Sequence, residues 1–352
     1  MTTTNAGIAA ERSAFYRELK QLSMSPLWES LSVLVPHTPN GPCVPALWKW
    51  DEVFPFIERA GRLITAEEAV RRVLILENPA LPGQASITQS LYAGLQLILP
   101  GEVAPAHRHV QSALRFIVHG KGAYTAVDGE RTTMYPGDFI ITPSWTWHDH
   151  GNDGIDGAAE PVVWLDGLDI PIVRFFDAGF EEKSTDKSQR VSRPEGNALA
   201  RYGNNLLPVD YVPESKTSPI FSYPYARSRE VLERLYRDGE LDDWQGVKLR
   251  YVNPATGGWP MPTIATFIQY LPKGFSSKPF RSTDGSVYSV IEGRGRVVVD
   301  GRDIAFGPKD HFVVPSWKTF TLHADEDLVL FSFSDRPVQS ALGILREERL
   351  AA

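Results

Sequence analysis

The chain has 352 residues, enough for two domains that each bury a core, and its 42% hydrophobic and 22% charged composition is that of a globular protein. A net charge of -7 without a long basic run excludes a nucleic-acid footprint, and no run of roughly 18 apolar residues reads as a transmembrane helix. The single cysteine, Cys43, cannot close an intrachain disulfide and the first residues lack an apolar signal core, so a reducing compartment, the cytoplasm, is expected.

Phe15, Leu19 and Leu22 recur at helical spacing from Glu11 onward, and Ser25-Pro26 supplies an N-cap and first-turn proline for a second helix through Trp28 and Leu31. These helices open an N-terminal arm (1–72), whose apolar residues are expected to pack on a domain or a neighbouring subunit. The Pro-rich text around Cys43 reads as irregular, and a further helix is expected from Ala66 to Arg72. Near Val73 the pattern changes to short apolar runs punctuated by Gly, Pro, Asn and Asp, the signature of an antiparallel barrel or sandwich over 73–170. Gly120-Lys121-Gly122 and Asp128-Gly129 read as hairpin turns. Residues 171–250 are less regular, a connection with a helix from Ser228 to Tyr236.

The second half repeats the first. LPKGFSSKPFRSTDGSVYSVIEGRGRVVVDG (271–301) follows LPGEVAPAHRHVQSALRFIVHGKGAYTAVDG (99–129), and KDHFVVPSW follows GDFIITPSW, so 251–336 is a second copy of the same β-domain. A closing helix is expected over 337–352. Gly101 to Asn152 holds five of the eight histidines. His107 and His109, at i and i+2, leave a strand by the same face, and His148 comes from a later strand. Three imidazoles converging inside a barrel suit a divalent first-row transition metal with open coordination positions. In the second copy Phe280, Ser282 and Phe320 stand where these histidines stand, and Tyr288 stands where Arg115 does, so that copy is expected to bind no metal.

Gly101-x5-His107-x-His109 and Gly137-x5-Pro143-x-Trp145-x2-His148-x3-Asn152 resemble the two cupin motifs, and the duplication resembles a bicupin. Ala113 and Leu114 stand where a ligating glutamate is usual, and Trp145 replaces a usual glycine. The missing carboxylate narrows the resemblance to the gentisate 1,2-dioxygenase family, which includes salicylate and 1-hydroxy-2-naphthoate dioxygenases. VWLDGLDIP, YVNPATGG and VPSW are also similar to that group. The resemblance implies an all-β core of two tandem jelly-roll-like cupin barrels between a helical arm and a C-terminal helix. It further implies one Fe(II) per subunit on His107, His109 and His148, and a homo-oligomer, typically a tetramer. The implied reaction incorporates both atoms of O2 into gentisate, giving maleylpyruvate; the alternatives are the same chemistry on salicylate or 1-hydroxy-2-naphthoate, or a non-oxidative metal cupin, an isomerase or binding protein. A metal held by neutral imidazoles keeps its full +2 charge, which favours an anionic ortho-hydroxy acid.

Other residues carry two readings each. Arg115, in an apolar strand, needs a partner when buried: the substrate carboxylate or reduced oxygen, or a salt bridge to Asp166. His150 is a fourth ligand, an acid/base group near the substrate, or a surface residue; the resemblance favours the second. Asp166 orients His150, accepts from the substrate, or is a turn aspartate. Arg71 matches an arginine that reaches the substrate in the family, against a solvated helix face; Gly94 and Gln96 resemble pocket-lining positions, against simple core packing. His119 is expected to be solvated.

Overall fold

A computed structural model describes residues 5–351 of the chain, which divides into two units, Met1–Asn40 and Gly41–Ala352. In the first, helices Asn5–Gln21 and Leu27–Leu34 are joined where Trp28 Nε1 donates to Tyr16 Oη at 2.9 Å and Tyr16 donates to Glu29 at 2.6 Å. The first helix begins earlier than expected, and Pro26 is the N-cap of the second rather than part of its first turn.

The second unit holds two copies of one antiparallel barrel. In the first copy the six-stranded sheet runs Ser222–Tyr223, Phe139–Thr142, Ala113–His119, Val162–Leu168, Tyr92–Ile98, Val73–Ile75. Facing it is a sheet ordered Glu181–Lys183, Val103–His109, His148–Asn152, Ala123–Val127, Glu130–Thr133. The second copy matches place for place: Ala46–Trp48, His311–Val314, Ser286–Glu292, Leu328–Ser334, Ala265–Leu271, Val247–Arg250. Its smaller sheet runs Glu347–Arg349, Phe280–Ser282, Phe320–Ala324, Gly295–Val299, Arg302–Phe306. Register agrees with the repeat read from sequence, His107 lying opposite His148 as Phe280 lies opposite Phe320.

Edge strands are exchanged between the copies. Ala46–Trp48, which precedes the first barrel, pairs with His311–Val313 of the second, and Ser222–Tyr223, which precedes the second, pairs with Phe139–Ile140 of the first. Each exchange covers a row of backbone groups that an edge would expose. The larger sheets also meet through one apolar core, where Phe116 stacks on Phe331 at 4.2 Å and Phe139 lies 5.5 Å from the same ring. Phe331 is fully buried, a contribution of roughly 2–3 kcal/mol for one such ring.

Several local expectations change. Asp128-Gly129 is the expected hairpin turn, with φ of 46° and 78° in the left-handed region that a two-residue hairpin demands. Gly120-x-Gly122 is instead a corner between strands of different sheets, and a Cβ on Gly120 would come within 2.0 Å of the Pro161 carbonyl oxygen. A helix at Trp50–Leu63, not singled out within the arm, follows the Pro-rich irregular stretch. The expected helix from Ala66 stops at Ala69, because Val70 turns left-handed (φ 58°), so Arg71 and Arg72 lie in the bend that leads into the strand Val73–Ile75 instead of riding a helix face. The closing helix spans only Arg336–Ala341, and the chain then forms the strand Glu347–Arg349 against Phe280–Ser282. His119 is half-buried rather than solvated, lying between Trp50 and Phe54 at ring distances of 5.5 and 5.0 Å, with Lys309 Nζ 3.1 Å from its Nδ1.

Candidate metal centre

His107 and His109 stand on the strand Val103–His109, and strand alternation sends both rings to the barrel interior, where the neighbouring strand delivers His148. The ring centroids are 5.2 Å (His107 to His109), 4.2 Å (His107 to His148) and 4.8 Å (His109 to His148) apart. One ligand atom from each lies within 4.8 Å of the others, the one such cluster among the described residues.

The donor set fits a metal ion. His109 Nδ1 lies 2.8 Å from the Gln111 carbonyl oxygen, His148 Nδ1 lies 2.9 Å from that of Thr146, and His107 Nδ1 lies 3.3 Å from that of Pro105. A carbonyl only accepts, so Nδ1 of His109 and of His148 carries the proton and Nε2 keeps its lone pair for ligation, whereas His107 Nδ1 also meets the Arg71 guanidinium, which can only donate. His148 Nε2 is buried without a hydrogen-bond partner. Burial, reinforced by nearby cations, pushes the imidazole of His107 down to about 3 and, with Arg115 and Arg71 among the causes, that of His109 to about 4; His148 falls well below the ordinary range. All are neutral at physiological pH, the form that binds metal.

The turn that precedes His148 is built on a non-glycine in a glycine conformation. Trp145 has φ 59°, which explains why glycine is usual there, and its nitrogen donates to His109 O at 2.8 Å. Arg108 at 4.5 Å and the Phe180 ring at 4.5 Å hold the indole. Trp317 repeats the arrangement in the second barrel, with φ 61° and a 2.6 Å bond to Ser282 O.

His150 enters the same interior, fully buried, its ring 5.8 Å from that of His148 and 5.5 Å from Trp164. Thr125 Oγ1 donates to Met134 Sδ at 3.4 Å and so is left to accept from His150 Nδ1 at 3.0 Å. His150 Nε2 therefore presents a buried, unpartnered lone pair, and burial keeps this imidazole far below its ordinary range, hence neutral. The hydrogen-bond partner of His150 is Thr125, not Asp166.

Asp166 lies directly across the sheet from Arg115, 3.7 Å from its Nε, and accepts from Trp164 Nε1 at 2.9 Å. Burial pushes its carboxyl up to about 6 although Arg115 pulls the other way. Arg115 is buried, donates through Nη1 to Thr142 Oγ1, and keeps an Nε–H without a hydrogen-bond partner. The salt bridge is present, and part of the guanidinium remains unsatisfied beside it. Arg71 is half-buried and donates to the Pro105 carbonyl oxygen at 2.7 Å, the acceptor it shares with His107, against whose Nδ1 it lies. Arg72 points elsewhere and binds Glu102 at 2.5 Å. Gly94 and Gln96 lie across from Asp166 and Trp164 and so share their interior face. A Cβ on Gly94 would sit 2.5 Å from Val73 Cγ1 and 2.8 Å from Tyr92 Oη.

Sequence reasoning missed Tyr92, Thr125, Thr142 and Trp164. The first was accessible, because Tyr92, Gly94 and Gln96 alternate on one strand and must share a face.

A barrel of this topology, with a histidine triad on its inner wall, defines a cupin with a site for a metal ion. A family model described as a cupin domain matches residues 94–166. Over 347 residues the chain is 52% identical to gentisate 1,2-dioxygenase 1 of Aquipseudomonas alcaligenes, covering 99% of each protein. It is 35% identical to the 1-hydroxy-2-naphthoate 1,2-dioxygenase of a Nocardioides species, covering 99% of this chain and 92% of that one. The crystal structure of salicylate 1,2-dioxygenase from Pseudoaminobacter salicylatoxidans with gentisate superposes with a TM-score of 0.90 at 34% identity, covering 97% and 94% of the two chains. The chain belongs to the gentisate 1,2-dioxygenase family of ring-cleaving dioxygenases, and it is an oxygenase.

Proposed function

We propose that this protein is an Fe(II)-dependent dioxygenase that opens the gentisate ring between its carboxyl-bearing and hydroxyl-bearing carbons, adding both atoms of O2 to give maleylpyruvate. The observation that carries this reading is the meeting of three neutral imidazoles, two of them anchored through Nδ1 to backbone carbonyls, with two further unpartnered buried nitrogens, Arg115 Nε and His150 Nε2. The 52% identity to a gentisate dioxygenase supports gentisate ahead of salicylate or 1-hydroxy-2-naphthoate, and membership of an oxygenase family weighs against a non-oxidative cupin.

His107, His109 and His148 would hold the iron, which when bound supplies the electron transfer that lets O2 react with an aromatic ring. The chain's own groups do the rest. Arg115, held in orientation by Asp166 and Thr142, gives its free Nε–H to an anionic oxygen, a charge-assisted bond in a dry interior. His150 accepts the proton of a substrate hydroxyl at Nε2, its tautomer fixed by Thr125. Arg71 adds a second positive charge; although burial lowers it to about 10, it remains a cation at neutral pH. Gly94 and Gln96 lie on the same wall as Asp166 and Trp164, and the absence of a side chain on Gly94 lets Tyr92 Oη and Val73 close over it. Asp166 acts as a positioning residue through Arg115.

The domain reading that accompanies this proposal has a catalytic barrel (73–170) and a barrel without metal (251–336), working in the cytoplasm as a homo-oligomer. The second helix of the arm, which leaves Leu27, Trp28, Val33 and Leu34 exposed, suits the surface of a neighbouring subunit. Turnover of gentisate under 18O2 by the iron-loaded protein tests the reaction: two labelled oxygens per product molecule are expected. One labelled oxygen, or none, would overturn it.

A further inference from the structure

The second barrel keeps a cavity at the place where the first has its histidines. Its volume is about 220 Å³, the room of on the order of seven waters. Phe280, Ser282 and Phe320, which replace the three histidines, and Tyr288, which replaces Arg115, all line it. These residues offer no set of metal ligands. What they build is an aromatic box with Phe267 on a further wall.

A cation projects into that box. Lys248 Nζ lies 4.7 Å from the centre of the Phe267 ring and 5.9 Å from that of Tyr288. The other cations of the wall are already matched: Arg336 binds Asp284 at 3.2 Å and also Glu347, Arg349 binds Asp242 at 2.8 Å, and Lys318 binds Asp300 at 3.0 Å. Among the described residues no carboxylate lies within 4.0 Å of Lys248 Nζ. Asp284, the nearest acidic influence on it, is engaged by Arg336, Ser282 and Ser334. Burial lowers the amine to about 8, so at neutral pH it is still mostly an ammonium ion without a counter-ion. Lys248 is half-buried, and a charge withdrawn from water is costly unless something pairs with it.

We propose that the second barrel is a binding site for a small single-ring aromatic carboxylate, whose ring stacks among Phe267, Phe280 and Phe320 while its carboxylate pairs with Lys248. The aromatic walls select against a bare inorganic anion, which would lose its hydration and gain nothing from them. The site is separate from the catalytic centre and does not depend on the reaction proposed for it.

Calorimetric titration of the iron-loaded protein with benzoate tests this, with inorganic phosphate in a parallel arm. Benzoate should occupy a site that Lys248→Met weakens at least tenfold. Ser282→Leu, which fills the cavity from the opposite wall, should remove the same site. Neither variant should change kcat/KM for ring cleavage by more than twofold. Superimposable benzoate isotherms for wild type and both variants would overturn the proposal, as would phosphate displacing benzoate from the Lys248-dependent site. A loss of benzoate binding confined to an Arg115→Met variant would report on the catalytic pocket, and would likewise count against a second site.

Discussion

Replacing Arg115 by methionine separates what this residue does for the fold from what it does for the substrate. The side chain is buried and lies 3.7 Å from the equally buried Asp166, and breaking a buried pair from one side costs roughly 3 kcal/mol or more of stability. The cost depends on pH. In the wild type the Asp166 carboxyl is raised to about 6 from 3.8, so the folded state binds more protons and stability falls as pH rises from about 4 through 6. Removing Arg115 deletes the largest influence that lowers this value, so in the variant the decline continues above pH 6. Urea melts should show a larger loss at pH 8 than at pH 5. Arg115→Met/Asp166→Asn, which leaves no unpaired charge and keeps an acceptor for Trp164, should recover most of the stability. It should not recover activity: loss of a buried charge-assisted bond to the reacting substrate amounts to roughly 3 kcal/mol, about 10²-fold in kcat/KM. A double variant that melts and turns over like wild type would refute the role given to Arg115, and an equal stability loss at both pH values would refute the electrostatic account of the pair.

His107→Ala should abolish both iron retention, read by metal analysis, and turnover, whereas Phe280→Ala, its counterpart in the second barrel, should cost roughly 2–4 kcal/mol in a denaturant melt while iron and activity stay. Thr125→Val removes the acceptor that fixes the His150 tautomer; kcat should fall about tenfold, the worth of one hydrogen bond, and Thr125→Ser should restore it. His311 is fully buried, neither ring nitrogen has a partner, and burial lowers its imidazole to about 3. Because that value lies below the unfolded 6.5, stability is lost as pH falls below about 6.5, and His311→Phe should raise the melting temperature with a gain that grows toward acid pH.

The clustering of the three histidines was legible because its spacing is short-range: i, i+2 on one strand, and a third histidine at a fixed distance from a turn that the second copy repeats without it. Comparison of the copies separated fold from side-chain chemistry, since Trp145 and Trp317 share a left-handed turn while His148 in one copy is matched by Phe320 in the other. The edge exchange was not legible, because Ala46–Trp48 and Ser222–Tyr223 are too short to show any period. Helix Trp50–Leu63 was hidden by Pro55 and by the Pro-rich text before it. Arg71 was preferred on the resemblance alone, since no local pattern shows that Val70 ends the helix, and the partners of Arg115 and His150, Thr142 and Thr125, come from other strands whose register no local pattern reveals.

Oxygen uptake by the iron-loaded protein, with gentisate, salicylate and 1-hydroxy-2-naphthoate compared in parallel, tests the central claim most directly. Stoichiometric uptake with gentisate, at a higher kcat/KM than with the other two acids, is the predicted result; no uptake with any of the three, from protein shown to contain iron, would contradict it.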